Sequence, residues 1–309
     1  MSGRFFLWRG LRALLTLWIV VTAVFVATRL SGDPTYHLLP PDTPEAQRAE
    51  LRQQLGLDRS IAVQYGRYLQ DIARGEFGRS IFTGMPVTEM FADRIPDTLR
   101  LTLSALLLAI AVGLPVGIAA ALKRNSGLDR TLMTVSFVAQ ATPNFALGIA
   151  LILVFSFALQ WLPSGGTGGA AHFVLPVITL AMATAASIAR LTRSSMLDVL
   201  NQEYMRFARG KGLGRATVVL KHGLRNAFPP VLTILGLQVG TLIGGAVVVE
   251  AVFAWPGAGR LLVDAVLERD YPLLQFGVMA VAATVILANM AVDMCHGLLD
   301  PRARTAATT

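Results

Sequence analysis

Charged side chains are scarce in this sequence, and one long stretch lacks them entirely. Only 15% of the 309 residues are Asp, Glu, Lys or Arg, whereas an ordinary soluble domain has about a quarter. Residues 131–189 contain no charged side chain, and as helix they could cross a hydrocarbon core of about 30 Å twice. The composition therefore excludes an ordinary soluble domain and indicates a membrane protein.

The sequence also has only one cysteine, and its four histidines do not cluster. The single cysteine, Cys295, cannot form an intramolecular disulfide or a multi-cysteine metal site. The histidines are scattered along the chain, so their positions predict no metal cluster. They are His37, His172, His222 and His296. We expect neither a disulfide framework nor a bound metal.

Motifs that hold nucleotides or catalyse hydrolysis are absent as well. The sequence contains no Gly-x-x-x-x-Gly-Lys-[Ser/Thr] loop, which P-loop proteins use to cradle phosphates. It also lacks H-E-x-x-H and G-x-S-x-G. We expect no catalytic residue and no cofactor bound by this chain, so any ATP must be hydrolysed by another subunit. A membrane enzyme whose site is assembled from dispersed residues is an alternative.

Six apolar runs predict an all-α membrane protein with six transmembrane helices. The runs lie at about 11–30, 98–122, 131–160, 173–196, 228–252 and 274–298. The second run contains Gly113, Pro115 and Gly117, and the third contains Pro143. Membrane helices tolerate such residues, which predict kinks.

The distribution of Lys and Arg predicts which loops lie inside the cell. Basic residues outnumber acidic ones 16 to four in alternate segments, which are 1–12, 123–130, 190–226 and 299–309. Residues 31–97, by contrast, hold seven basic and ten acidic residues. The positive-inside rule then places both termini in the cytoplasm. The net charge is +8, and its basic residues concentrate in short loops between spans. This pattern is typical of loops held on the cytoplasmic side of a membrane and argues against a nucleic-acid partner.

These segments predict a simple domain organisation. Residues 1–32 form a cytoplasmic tail and the first span, 33–97 form a small periplasmic segment, and 299–309 form a second cytoplasmic tail. A five-helix core occupies 98–298 and includes the cytoplasmic loop 201–222. A cleaved secretory signal is an alternative for the first 30 residues, but the apolar run is long and no clear A-x-A site follows it.

The longest inside loop has an amphipathic pattern. Tyr204, Phe207 and Ala208 recur at helical spacing among basic residues, and Gly210, Gly212 and Gly214 follow. A second short amphipathic element begins near Val218. By itself this pattern favours a loop that lies on anionic lipid over one that docks a partner.

The same loop resembles the EAA signature, Glu-x-x-x-x-Ala-x-x-x-Gly, of permeases from binding-protein-dependent ABC importers. The matching residues are Glu203, Ala208 and Gly212, while Gly210 stands where alanine is expected. Further segments resemble the first permease of the dipeptide, oligopeptide and nickel systems, so the likeness covers nearly the whole chain. They are 32–34, 54–58, 75–86 (with Glu76 where Asp is usual), 95–99 and 220–230.

The resemblance implies the type I ABC importer permease fold, in the bacterial inner membrane. It implies a complex with a second homologous permease, two ATPase subunits that carry ATP and Mg²⁺, and a periplasmic or lipid-anchored solute-binding protein. Membrane lipid would surround the permease. The cargo would be a peptide or a related small solute such as glutathione or a nickel chelate. The ATPase-coupling residues would be Glu203, Tyr204, Phe207, Ala208, Gly212 and Leu213. An ATP-independent channel or secondary carrier is the alternative.

Two further groups are candidate functional residues. The stretch beginning at Glu250 resembles the family's Glu-x-x-Phe-x-x-Pro-Gly-x-Gly-Arg segment, with Ala258 where leucine is common, and a membrane-embedded acid is a functional candidate by default. We expect an outer gate, or else a structural turn whose acid and Trp255 reach the interface. The gate residues would be Glu250, Pro256, Gly257, Gly259 and Arg260.

The second group is a stripe of small residues on the fifth span. Gly236, Gly240 and Gly244 recur every four residues, which predicts close helix packing, in part against the partner permease. On the sixth span Asn289 and Asp293 lie one turn apart. They would line a polar path, or Asp293 would simply reach water at the inner end.

Overall fold

The structure is a computed structural model that describes the backbone of residues 3–299, and the side chains of residues 7–36, 39–292 and 294. Within that range it contains helices, one isolated bridge between Arg79 and Pro86, and no strand. A helix satisfies its backbone hydrogen bonds internally, which hydrocarbon requires because it offers no partners. The expected all-α fold class is confirmed.

Twelve α-helices and two π-helical segments make up the described chain. The α-helices are α1 Gly3–Leu30, α2 Thr35–Leu38, α3 Glu45–Gln54, α4 Ile61–Arg74, α5 Val87–Leu122, α6 Gly127–Ala141, α7 Asn144–Leu151, α8 Ala170–Leu200, α9 Glu203–Gly210, α10 Arg225–Val252, α11 Ala258–Glu268 and α12 Tyr271–Leu299. The π-helical segments are Ile152–Ala158, which extends α7, and Thr217–Leu224, which leads directly into α10.

Five of the helical segments are long and apolar enough to cross a membrane without a break. They are Leu7–Leu30, Val87–Leu122, Ala170–Leu200, Thr217–Val252 and Tyr271–Val292. The second begins 11 residues earlier than the predicted 98–122 and runs unbroken through Pro115. Six spans are reached when the broken pair described next counts as one.

The predicted third span is broken at Pro143. Helix α6 ends at Ala141, Thr142 and Pro143 are extended, and the axis of the following segment turns by 104°. Proline disfavours a helical conformation in the residue before it, so the helix stops there. The kink expected from the sequence is therefore a sharp corner, and residues 131–160 do not form one straight helix.

The described chain divides into two compact units. The first contains Thr98–Pro256 and residues 285–299, and the second contains Gly3–Asp97 and Gly257–Thr284. Helix α8 is the centre of the first unit: α5, α6, α7 and α10 all pack against it. Its buried face includes Leu175, Leu180 and Ile188.

The packing of α5 on α8 depends on two glycines. A Cβ at Gly113 would lie 2.7 Å from the carbonyl oxygen of Ala185, and one at Gly117 would lie 2.4 Å from that of Ala189. The two helix backbones therefore approach as closely as small-xxx-small pairs allow. In the sequence these two glycines predict only a kink, and nothing local to them indicates the contact with α8.

An ion pair joins α6 to α8 at one end of the first unit. Arg193 donates from Nε and Nη2 to the two carboxylate oxygens of Asp129, at 2.6 and 2.7 Å. The backbone N–H of Asn125 also donates to Asp129, at 2.9 Å, and Ser126 caps the start of α6. Asp129 is buried, while the Arg193 side chain is partly exposed, so loss of Arg193 would leave a buried carboxylate without its charged partner.

In the second unit, the fully buried Asp270 joins the start of α12 to the loop that precedes α5. Its carboxylate accepts hydrogen bonds from Ser80 Oγ at 2.5 Å and from the N–H groups of Ile81 and Leu273. Next to it, Tyr271 donates to the carbonyl oxygen of Gly32 at 2.6 Å. The corner between α11 and α12 is thereby attached to the segment that follows α1.

A second carboxylate orders the start of the segment between α1 and α5. Asp33 accepts hydrogen bonds from the N–H and hydroxyl groups of Thr35, at 2.9 and 2.7 Å, and also from Arg52. Burial alone would raise the pKa of Asp33, but the hydrogen bonds from Thr35 and Arg52 outweigh it and hold the pKa below its ordinary value.

Replacing Gly117 with alanine should destabilise the protein, because the new Cβ would press on the Ala189 carbonyl oxygen. Overpacking of this kind costs about 1–3 kcal/mol, so we expect a lower midpoint of thermal unfolding in detergent. Gly10→Ala in α1 is the control, since no atom lies within 4 Å of its added Cβ. Equal midpoints for the two variants would contradict the close contact.

Candidate functional site

The loop that carries the EAA-like residues folds as a short helix and a glycine turn. Helix α9 begins at Glu203, directly after the extended residue Gln202, and ends at Gly210. The chain then turns at Gly212, whose φ of +74° lies in the left-handed region that favours glycine. The predicted helix and its glycine-rich end are both present, and Thr217–Leu224 forms the second element.

The inner face of α9 is anchored to the first unit. Met205 and Ala208 are buried and pack against Val218, with Val199 and Leu200 at the end of α8 beside them. Met205 has no exposed surface at all. The sequence interpretation missed Met205, although its position three residues before Ala208 is the spacing of one helix face.

The outer face of α9 exposes large apolar side chains. Tyr204, Phe207 and Leu213 are all exposed, and Phe207 shows 66% of its surface. The ammonium group of Lys211 lies 4.7 Å from the centre of the Phe207 ring, a distance typical of a cation–π contact. The predicted stripe of Tyr204, Phe207 and Ala208 is therefore split: the two aromatic residues point outward and Ala208 points inward.

Glu250 lies in the interior near the far end of α10. It has no exposed surface, and Thr98 Oγ1 donates a hydrogen bond of 2.6 Å to its Oε1. Trp255 is also buried, and its ring meets that of Phe173 edge-on at 4.5 Å. Both side chains are buried in the structure, so neither reaches the membrane interface as the alternative expected.

The end of α10 is held by a close backbone contact. The N–H of Gly166 donates to the carbonyl oxygen of Phe253 at 2.8 Å, and a Cβ at Gly165 would lie 2.2 Å from that oxygen. The loop before α8 can therefore approach α10 only because it carries glycine at this point. This contact lies at the same end of α10 as Glu250.

The remaining predicted gate residues are divided between the two units. Pro256 ends the first unit, whereas Gly257, Gly259 and Arg260 belong to the second. Gly259 is buried in the first turn of α11, and Arg260 Nε lies 3.9 Å from Asp264 Oδ2.

The predicted glycine stripe on α10 has three different environments. Gly236 is buried, and a Cβ at Gly240 would lie 3.2 Å from Val285 on α12 and 3.7 Å from the amide group of Asn289. Gly244 is exposed, with no atom within 4 Å of an added Cβ. The side chains of Asp293, Cys295, His296 and His37 lie outside the described residues.

Comparison with known proteins agrees with this architecture. The family described as "Binding-protein-dependent transport system inner membrane component" matches residues 113–305. The glutathione transport system permease protein GsiC of Salmonella paratyphi A is 46% identical over 290 residues, which cover 94% of this chain and 95% of the relative. GsiC of Escherichia coli K12 is also 46% identical, over 291 residues with the same coverage.

The fold also matches a solved structure. The MetNI methionine ABC transporter, in an inward-facing conformation, superposes with a TM-score of 0.61 at 20% identity, covering 70% of this chain and 98% of that chain. The chain belongs to the family of binding-protein-dependent inner-membrane transport components. It is a multi-pass permease subunit of an ABC importer of the peptide and nickel branch. Its family implies an ATPase and a binding protein as partners.

Thr98→Val should destabilise the first unit, because it removes a donor from the buried carboxyl group of Glu250 while conserving shape. Loss of such a hydrogen bond costs about 1–3 kcal/mol, which should lower the thermal unfolding midpoint. Thr102→Val is the control one turn away, since the Thr102 hydroxyl bonds only to backbone carbonyl oxygens of α5 in the described structure. A midpoint equal to that of Thr102→Val would show that Thr98 contributes nothing to holding Glu250.

Proposed function

We propose that this permease couples import of glutathione or a similar small peptide to ATP hydrolysis, through docking of an ATPase subunit on the outer face of α9 and the Gly212 turn. The observation that carries this proposal is that α9 has two apolar faces, of which the inner one is anchored and the outer one is exposed. An exposed apolar surface beyond the ends of the spans favours docking of a protein partner, because docking removes the apolar side chains from water.

The anchored face gives a route for movement into the membrane. Met205 and Ala208 pack on Val218, which belongs to a helical segment that continues without a break from Thr217 to Val252. At 1.5 Å per residue, 36 residues of this segment extend about 54 Å. A force applied at Phe207 would therefore be transmitted along α10 toward Glu250.

At its far end, this route reaches the proposed outer gate. Glu250 is bound by Thr98 of α5, and the Phe253 carbonyl oxygen is bound by Gly166. Movement of α10 must either carry these partners along or break both contacts. We propose that this region of the first unit opens and closes the outer side. Pro256, Gly257, Gly259 and Arg260 follow Glu250 in the sequence, and we propose them as gate residues from their sequence pattern alone.

We further propose the arrangement of the complex. Two permeases would pair in the membrane, each bound to one of two ATPase subunits, with both termini in the cytoplasm as the Lys and Arg distribution favours. Gly244 leaves an open site on α10 where the helix of a second permease could approach closely. Gly236 is buried and Gly240 packs against α12 of the same chain. In this proposal these two glycines hold α10 against its own chain, while Gly244 contacts the second permease.

The cargo is proposed from the relatives. GsiC is a glutathione transport permease, and the likeness extends over 94% of this chain. A periplasmic or lipid-anchored binding protein would deliver the peptide, so the permease needs only to admit what that protein releases. ATP binding can shift the equilibrium between two states of the complex only by the difference between its binding free energies for those two states.

The coupling role predicts that Phe207→Ala weakens binding of the ATPase and thereby lowers ATP-driven uptake. Truncation of a buried aromatic side chain at an interface costs about 2 kcal/mol or more, so the Kd for the ATPase should rise at least about 30-fold. The measurement is co-purification of the ATPase, with uptake into proteoliposomes that contain ATP. Phe157→Ala is the control, since Phe157 is equally large and exposed but lies in the π-helical segment after α7.

Two results would contradict the coupling role. The first is ATPase binding and uptake by Phe207→Ala at wild-type levels. The second is wild-type uptake that continues without ATP, which would favour an ATP-independent channel or carrier instead.

The cargo proposal predicts competition between solutes. In proteoliposomes that contain the full complex and its binding protein, unlabelled glutathione should reduce uptake of labelled glutathione. A nickel chelate or an unrelated sugar at the same concentration should leave uptake unchanged. No ATP-dependent uptake of labelled glutathione, with uptake of a labelled dipeptide or nickel chelate under the same conditions, would reject glutathione as the cargo.

A further inference from the structure

A small cavity lies within the second unit, lined by α4, the loop that follows α4, and the first turns of α12. Its volume is about 170 Å³. A cavity of about 150 Å³ holds one benzene ring, whereas pockets for drug-sized molecules measure about 300–1,000 Å³. The cavity therefore fits a group the size of one side chain and is too small to enclose a tripeptide.

Two carboxylates line this cavity, and the end of α4 brings them together. Asp71 lies in the last turn of α4, and the chain then turns at Gly75, whose φ is +77°. The N–H of Glu76 donates back to the carbonyl oxygen of Asp71 at 2.9 Å, which is the helix end that a left-handed glycine produces. Glu76 therefore returns to the side of the cavity that Asp71 lines.

The charge of these two carboxylates is not balanced locally. Neither Asp71 nor Glu76 forms an ion pair with a described residue. None of the described residues that line the cavity is basic. The cavity thus offers two anionic groups to a ligand.

Two neutral polar side chains add hydrogen-bond acceptors to the lining. Gln275 is only 8% exposed, and its Nε2 donates to Thr28 Oγ1 at 2.9 Å. Its Oε1 accepts no hydrogen bond from a described residue, although buried polar atoms are nearly always paired. Tyr68 stacks on Phe25, and burial raises the pKa of Tyr68 to about 12, so its hydroxyl group is neutral. Both oxygens suit a ligand that donates hydrogen bonds.

Aromatic rings form another part of the lining. The rings of Phe77 and Phe276 lie 4.9 Å apart, and Phe276 also meets the buried ring of Phe91 at 5.4 Å. Both lining rings pack on the buried cluster that contains Phe91, so a ligand does not have to order them. Aromatic faces attract cations, and they also cover the apolar stem of a long basic side chain.

We propose that this cavity receives one Arg or Lys side chain of the solute-binding protein, with its cationic end on Asp71 and Glu76 and its stem against Phe77 and Phe276. Carboxylates and amide oxygens accept the hydrogen bonds that such a cation donates. The cavity has the volume of one such side chain.

The position of α4 in the sequence identifies the partner. It belongs to residues 31–97, which the distribution of Lys and Arg places outside the cell, on the side of the binding protein. The inference therefore rests on the orientation and the complex proposed above. It does not depend on which solute is carried or on the docking of the ATPase at α9.

The test is the Kd of the purified transporter complex for its binding protein, measured by surface plasmon resonance without ATP or solute. The Asp71→Asn, Glu76→Gln double variant conserves the shape of both side chains and removes their charge. Because it leaves the inserted cation without a charged partner, it should raise the Kd at least about 30-fold.

The Glu50→Gln, Asp58→Asn double variant is the matched control. It removes the same charge from two exposed carboxylates of the same segment that do not line the cavity. Exposed charges of this kind contribute little to binding, so its Kd should stay within about fivefold of the wild-type value.

A competition experiment tests the cavity in the wild-type complex, without any substitution in it. Millimolar n-butylguanidinium should raise the apparent Kd for the binding protein, because it presents the same cation on a short apolar stem. Butylurea, which has nearly the same shape but no charge, should leave the Kd unchanged at equal ionic strength. In the Asp71→Asn, Glu76→Gln variant neither compound should have an effect.

Three outcomes would overturn the inference while the proposed complex stands. A Kd of the Asp71→Asn, Glu76→Gln variant within about fivefold of wild type would show that no cation of the binding protein enters the cavity. An equal loss in the Glu50→Gln, Asp58→Asn control would show general attraction between charged surfaces. Equal competition by butylurea would show that the cavity does not select a cation. By contrast, a wild-type complex that binds no binding protein would reject the proposed complex and this inference together.

Discussion

The close approach of α5 to α8 at Gly113 and Gly117 is the contact on which the first unit depends. In a membrane there is no hydrophobic force between apolar helices, so packing must come from close contact of surfaces that fit. These glycines bring the backbone of one helix to the carbonyl oxygens of the next. With α8 held in this way, α6, α7 and α10 can pack on its other sides, and the Asp129–Arg193 pair joins α6 to it near one end.

The two candidate sites lie at opposite ends of the same helical segment. The anchored face of α9 meets Val218 near its start, and Glu250 lies near its end. Each end is held by contacts within the unit, namely Met205 in a buried cluster and Glu250 on Thr98. A helix fixed at both ends would carry displacement from one site to the other, which is what the proposed coupling requires.

Much of the fold could be predicted from composition because hydrocarbon imposes a simple rule on sequence. Long apolar runs must be helices, and the interruptions mark their ends. The interruption at Pro143 was visible, but its size was not, since a proline permits anything from a slight kink to a corner. The direction of side chains was harder: the spacing of Tyr204, Phe207 and Ala208 is compatible with one stripe, yet the structure buries Met205 and Ala208 instead.

The sequence by itself determined that this protein is a helical membrane protein with several spans, its resemblance to a known family indicated a permease, and its motifs marked the EAA-like loop and the acid at Glu250. Apolar length, charge distribution and local motifs are properties of neighbouring residues, so they can be read in order along the chain. Only the tertiary structure decided that Glu250 is enclosed and bound to Thr98, that Asp129 pairs with Arg193, and that Gly113 and Gly117 face α8. Those contacts join residues that are distant in sequence, and no local pattern specifies which helix faces meet.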